Sequence, residues 1–119
     1  DMTPLRNWWQ EDPEKTQRYY NHVLQRIGEA PDECTAEIVA QIISNHLKTR
    51  SMLTIIPLQD WFAMDDSIKR KDIESERINV PANSTHYWRY RMHITLEQLL
   101  QADNLNNKIV SLIKEAGRK

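Results

Sequence analysis

Two short stretches of this chain combine residue types that can do chemistry on a polar ligand. Gln59 and Asp60 directly follow an apolar run at residues 52–56. A carboxamide beside a carboxylate can hydrogen-bond a polyol, or hold the residues that do so. The ordinary alternative is a helix-capping Asp with a supporting Gln. Further on, Glu76-Arg77-Ile78-Asn79-Val80-Pro81-Ala82-Asn83 sets an acid, a base and two carboxamides in a stretch without periodicity. Arg77 can pair with a carboxylate, and Asn79 can both donate to and accept from a hydroxyl. Its ordinary alternative is a set of turn asparagines bonding their own backbone.

A third stretch, His86-Tyr87-Trp88-Arg89-Tyr90-Arg91-Met92-His93, interleaves aromatics with bases. That pattern suits stacking on single-stranded nucleic acid or on pyranose faces. It also suits a core segment whose Trp packs inward and whose arginines bridge carboxylates, and this structural reading is the favoured one. Asp1 precedes a helix start and reads, from its position alone, as an ordinary first-turn acid.

Other chemistries are excluded. Two glycines, Gly28 and Gly117, cannot build a phosphate-cradling loop. The single cysteine, Cys34, fits a reducing compartment and has no base beside it in sequence. His22, His46, His86 and His93 lack metal-ligand spacing. Met2, Met52, Met64 and Met92 are scattered and read as core filler, and Trp8 and Trp9 read as packing residues. A formal net charge of −1 gives no electrostatic case for nucleic acid or membrane. No apolar run is long enough to span a bilayer, and no charged-then-apolar leader opens the chain.

The elements that must position these residues follow from caps and periodicity. Thr3-Pro4 and Asp12-Pro13 both signal helix starts, so a first helix restarts or kinks at Asp12. Tyr19, Tyr20, Val23, Leu24 and Ile27 continue at helical spacing, and Gly28 suits the left-handed stop. Thr35 caps a helix carrying Ile38, Val39, Ile42, Ile43 and Leu47. The run Met52-Leu53-Thr54-Ile55-Ile56, closed by Pro57, reads as a strand buried on both faces, at about residues 52–57. Residues 58–64 form a short helical turn. Residues 65–80 are irregular with Lys69-Arg70-Lys71-Asp72 as a solvated run, and residues 81–93 are a loop. Thr95 with Gln98 is a capping box opening a helix, interrupted near Asp103-Asn104 and ended by Gly117. A lone buried strand needs ladder partners, which must come from further sequence or from another copy of the chain. The opening Asp1-Met2 likewise points to a fragment or processed product. Helix, strand, long loop and helix in that order match the end of a (β/α)8 barrel, whose chemistry sits at strand C-termini.

In its wording the chain resembles the 4-alpha-glucanotransferases. Asp1-Met2-Thr3-Pro4-Leu5-Arg6-Asn7-Trp8-Trp9 is similar to the family segment running from a Thr-His-Asp motif into a Trp-Trp helix. Pro57-Leu58-Gln59-Asp60-Trp61 resembles the final-strand motif. Glu76 to Asn83, then His86 to Met92, resembles the last active-site loop, nearest the branch that includes the plant cytosolic enzyme. The resemblance covers almost the whole chain. It implies an α/β fold class, with residues 1–119 as the C-terminal portion of a catalytic (β/α)8 barrel, mostly helical with one buried strand. It implies a cytoplasmic enzyme acting on maltodextrins without metal or organic cofactor. Retaining transfer there uses a nucleophilic Asp and an acid/base Glu, neither matched in this chain, and a third Asp that Asp1 matches. Arg77 and Asn79 match loop residues close to the bound glucan, and Gln59 and Asp60 match residues that shape the site. The isolated piece is expected to be inactive. The rival reading is a small helical interaction module binding through residues 86–93.

Overall fold

The computed structural model describes residues 2–118; Asp1, the expected catalytic acid, lies outside them. The chain divides into two compact units. Unit 1 runs up to Cys34 and includes Arg70–His93; unit 2 is Thr35–Lys69 with the segment from Ile94 onward.

In unit 1, α1 (Leu5–Glu11) and α2 (Pro13–His22) meet at Asp12, whose extended backbone (φ −144°, ψ 95°) breaks the helix. The Asp12 carboxylate accepts from the Lys15 amide at 3.2 Å and so caps α2. The Thr16 hydroxyl donates to the Trp9 carbonyl at 2.6 Å, using an acceptor that the break sets free. Trp9 is buried, donates its indole N–H to the Pro31 carbonyl at 2.7 Å and packs edge-on against Tyr20. Trp8 meets Tyr19 in the same way, with ring centroids 5.2 Å apart. Both tryptophans therefore pack, as their spacing implied.

α2 stops at His22 rather than reaching Gly28. Gln17 and Asn21 provide the reason. The Asn21 amide donates to the Arg26 carbonyl at 2.8 Å, and the Gln17 amide donates to the Gly28 carbonyl and accepts from the Ala30 amide. Side-chain amides thus offer residues 26–30 an alternative to the helical ladder. Gln25 takes the left-handed turn (φ 54°), and Ile27, read as part of the apolar stripe, is exposed.

In unit 2, α3 (Ala36–Leu47) is capped by the Thr35 hydroxyl, which accepts from the Ile38 amide at 3.3 Å. It buries Ile38, Val39, Ile42, Ile43 and Leu47, the stripe its periodicity demanded. α4 (Leu58–Phe62) follows, burying Phe62. α5 (Leu96–Leu100) opens on the complete Thr95–Gln98 capping box. After a break at Gln101-Ala102, α6 (Asp103–Glu115) packs on α3 and buries Leu105. α6 ends in a Schellman arrangement, with Arg118 N–H donating to the Ile113 carbonyl and Gly117 N–H to the Lys114 carbonyl.

The expected strand is absent, and this overturns the α/β assignment: all regular structure among the described residues is helical. Residues 52–56 run from α3 to α4 without ladder pairing, and Met52, Leu53 and Ile55 are exposed, Met52 at 98%. A β-branched run becomes a strand only where a neighbouring edge completes its hydrogen bonds, and unit 2 offers only helices. The Arg118 guanidinium instead takes the carbonyls of Leu47, Thr49 and Ser51. The argument that an unpartnered buried strand marks a barrel end falls with the strand.

Gly117 sits at φ +73°, with nothing within 4 Å of the position a Cβ would occupy. Gly117→Ala therefore tests backbone conformation without a clash. It should lower the unfolding free energy by about 1 kcal/mol, read as a lower urea midpoint at unchanged slope.

Candidate functional site

Unit 1 builds its polar site from α1 and the irregular segment that follows Lys69. On α1, Arg6 and Asn7 are consecutive and both buried, which is unusual for an Arg in a short helix. The Arg6 Nη1 donates to the Arg70 carbonyl at 2.6 Å and lies 3.8 Å from the Glu76 Oε2. The Asn7 Nδ2 donates to the Ile73 carbonyl at 3.1 Å and the Glu74 carboxylate at 3.3 Å. One helical turn therefore grips residues 70, 73, 74 and 76. The segment itself has a single 3₁₀ turn, Glu74–Glu76, as regular structure.

Glu76 is the most deeply placed charge here, 1% exposed. Burying a carboxylate is costly unless cations and donors meet it. Arg77, next in sequence, points its guanidinium at two carboxylates: Nη2 lies 3.2 Å from Glu11 Oε1 and Nε 3.2 Å from Glu74 Oε2. Glu11 stands one turn beyond Asn7, so α1 supplies a third contact to the same segment. Asn79 is half-buried two residues on. Unit 1 thus holds Arg77 against the Glu11 and Glu74 carboxylates, with Asn79 two residues on in the same segment.

Arg70 departs from the expected solvated run. Its guanidinium donates to the Ser75 carbonyl at 3.0 Å and the Arg91 carbonyl at 2.6 Å, and lies 5.7 Å from the Tyr90 ring centroid. Burial and the Glu76 carboxylate push the Tyr90 phenol above its ordinary value of 10.0, with Arg70 pulling it partly back. The Tyr90 hydroxyl is buried without a hydrogen-bond partner among the described residues. The neighbouring stretch does not pack as the favoured reading required. Trp88 is 64% exposed, Tyr87 is exposed too, and Arg89 lies over the Tyr87 ring instead of bridging carboxylates.

Gln59 and Asp60 lie in unit 2, both buried in the first turn of α4. The Asp60 amide donates to the Pro57 carbonyl, and the Gln59 carbonyl accepts from the Ala63 amide. Unit 2 also has a cleft of about 450 Å³ lined by Leu47, Leu53, Thr54, Trp61, Ile113 and Arg118 among others. Arg6, Asn7, Glu11 and Arg70 were not singled out from the sequence. For Arg6 and Asn7 the one signal was polar residues beside Trp8-Trp9 on a helix; Glu11 and Arg70 carried none. Cys34 is buried and in no disulfide among the described residues, which suits packing. Among the described residues, no helix is long and apolar enough to cross a membrane.

A family model described as 4-alpha-glucanotransferase matches residues 1–97. The chain is 38% identical over 118 residues to "4-alpha-glucanotransferase DPE2" of Oryza sativa subsp. japonica, covering 99% of this chain and 12% of the relative. It is 28% identical over 115 residues to a 4-alpha-glucanotransferase of Chlamydia trachomatis, covering 94% and 21%. A Chlamydia caviae protein of the same description is 26% identical over 117 residues, covering 97% and 21%. The chain thus spans 12% to 21% of the length of these relatives. No solved structure matches it.

Tyr90 gives a test of the site's electrostatics. Because its folded-state value is raised, the folded protein holds this proton more tightly than the unfolded chain. The linked stability is fully present below the ordinary phenol value and is lost as pH rises through the raised one. Tyr90→Phe should be neutral or stabilising by up to about 1 kcal/mol at pH 7, since it removes a hydroxyl without a partner. In alkaline urea titrations, the variant should lose less stability than the parent on passing above the phenol range.

Proposed function

The chain belongs to the 4-alpha-glucanotransferase family, and from that premise we propose that it forms part of a cytoplasmic glycosyltransferase acting on alpha-1,4-glucans. The protein moves glucan segments between maltodextrins by retaining double displacement. A carboxylate nucleophile attacks the anomeric carbon as the glycosidic C–O bond breaks, and a carboxylic acid gives its proton to the departing 4-oxygen. The acceptor's 4-hydroxyl then displaces the enzyme carboxylate, returning its proton to the acid/base. Both of those carboxyl groups come from outside this chain.

This chain contributes the binding surface. Asp1 is the third acid, hydrogen-bonding the reacting sugar and favouring its distortion towards the transition state. Arg77 and Asn79 present donors and acceptors to glucan hydroxyls, and Gln59 and Asp60, which resemble family residues that shape the site, are assigned a supporting role. The observation that carries the reading is similarity over 99% of the chain to a protein described as a 4-alpha-glucanotransferase. The gripped loop of unit 1 supports it, because a hydroxyl-binding loop works only when fixed beforehand.

A second reading rests on exposed Tyr87 and Trp88 beside Arg89 and Arg91: a module that binds an anionic polymer. One experiment separates the two. The full-length protein carrying this chain, incubated with maltotriose, should release glucose and build longer maltodextrins, followed by chromatography. The 119-residue chain alone should do neither. In the full-length protein Asp1→Asn should lower kcat at least about 100-fold. Absence of transfer together with salt-weakened polyanion binding would favour the second reading.

A further inference from the structure

We propose that Arg6 is a positioning residue of the glucan site, holding the loop that carries Arg77 and Asn79 in its binding pose. The proposal rests on the transferase reading above and adds a residue that acts through others, not on the substrate. Arg6 is 8% exposed, so its guanidinium must find partners within the protein. It finds them on the segment leading into Arg77: the Arg70 carbonyl at 2.6 Å and the Glu76 carboxylate at 3.8 Å. Asn7 holds the same segment at Ile73 and Glu74. The segment has only a three-residue 3₁₀ turn of its own. Bonds from Arg70 to Ser75 and from Glu74 and Ser75 to Asp72 set its local turn, and α1 fixes that turn in place. Glu76 is bonded in sequence to Arg77, so a shift of the Glu76 backbone moves the Arg77 backbone with it, against the hold of Glu11 and Glu74 on the Arg77 guanidinium.

The choice of Arg is chemical. A planar fork can serve a carbonyl and a carboxylate together, whereas the single ammonium of Lys serves them less well. Loss of the fork frees the loop to sample other poses, and a displacement of about 1 Å at binding groups can cost about 100-fold in turnover.

The test compares wild type, Arg6→Met and Arg6→Lys in the full-length protein. Two quantities are read: steady-state transfer on maltotriose, and amide hydrogen exchange across residues 70–79 with α3 as internal reference. The expected result for Arg6→Met is faster exchange in residues 70–79 and unchanged protection in α3. It should also lower kcat/KM by about 10- to 100-fold, with Arg6→Lys recovering part of both. Should Arg6→Met fail to fold, Arg6→Lys carries the comparison, with a smaller change in the same direction. Unchanged exchange in residues 70–79 overturns the proposal, as does faster exchange with wild-type kcat/KM. A wild type inert on maltodextrins removes the transferase reading and this role with it. An active wild type with unaffected variants removes the positioning role alone.

Discussion

The carboxylate of Glu76 sits 1% exposed in unit 1, and that burial constrains everything around it. A desolvated anion costs several kcal/mol unless the surroundings are arranged for it, and removal of one partner leaves the other exposed to the full cost. Arg6 is arranged for it, itself buried and held by the Arg70 carbonyl. Arg70 in turn spends its guanidinium on the Ser75 and Arg91 carbonyls and the Tyr90 ring. The order of residues 70–91 is thus set by charge and carbonyl accounting. The apolar part of unit 1 is Trp9, Tyr20, Leu24 and Cys34. Collapse alone could tolerate several poses of the loop; the polar contacts select one, because each requires its own geometry.

Unit 2 follows the opposite logic. α3 buries five aliphatic side chains, and α6 adds Leu105. Polar contacts serve at the edges, where helices leave unsatisfied carbonyls. Lys108 donates to the Met64 carbonyl just past α4, and Arg118 gathers three carbonyls after α3. These long side chains bridge elements while their stems lie along apolar surface. Residues 52–56 remain irregular because nothing in unit 2 completes their backbone pairing.

What could be read from sequence was what depends on near neighbours. Asp12, Thr35 and Thr95 cap helices through amides three residues away, and Gly117 stops one through its own φ. The stripe of α3 is a property of α3 itself. The strand failed because a strand is a property of two segments, and only one was visible. The end of α2 failed because the Gln17 and Asn21 amides outweigh the spacing of Val23 and Ile27, a contest that periodicity does not register. Arg70 looked solvated among Lys69 and Lys71 because its partners at Ser75 and Arg91 are set by the loop's path. For the site, Arg77 and Asn79 were legible as residue types, but Glu11, 66 positions away from Arg77, was not.

The resemblance and the geometry meet at a definite place. The segments at residues 1–9 and 76–83 lie far apart in sequence, and each resembles a part of the family's active site. Both fall in unit 1, where Arg6 and Asn7 of the first hold Ile73, Glu74 and Glu76 at the threshold of the second. A motif that served only to pack would need apolar complementarity, and conservative aliphatic residues would suffice. Here the helix spends two buried polar side chains on a loop whose next residues are an Arg and an Asn able to meet hydroxyls. Burial of Arg6 and Asn7 is a cost to the fold, offset by their contacts with the Arg70 and Ile73 carbonyls and the Glu74 and Glu76 carboxylates. The α1 residues and residues 70–76 therefore make one connected polar cluster, with Glu76 at its junction with Arg77.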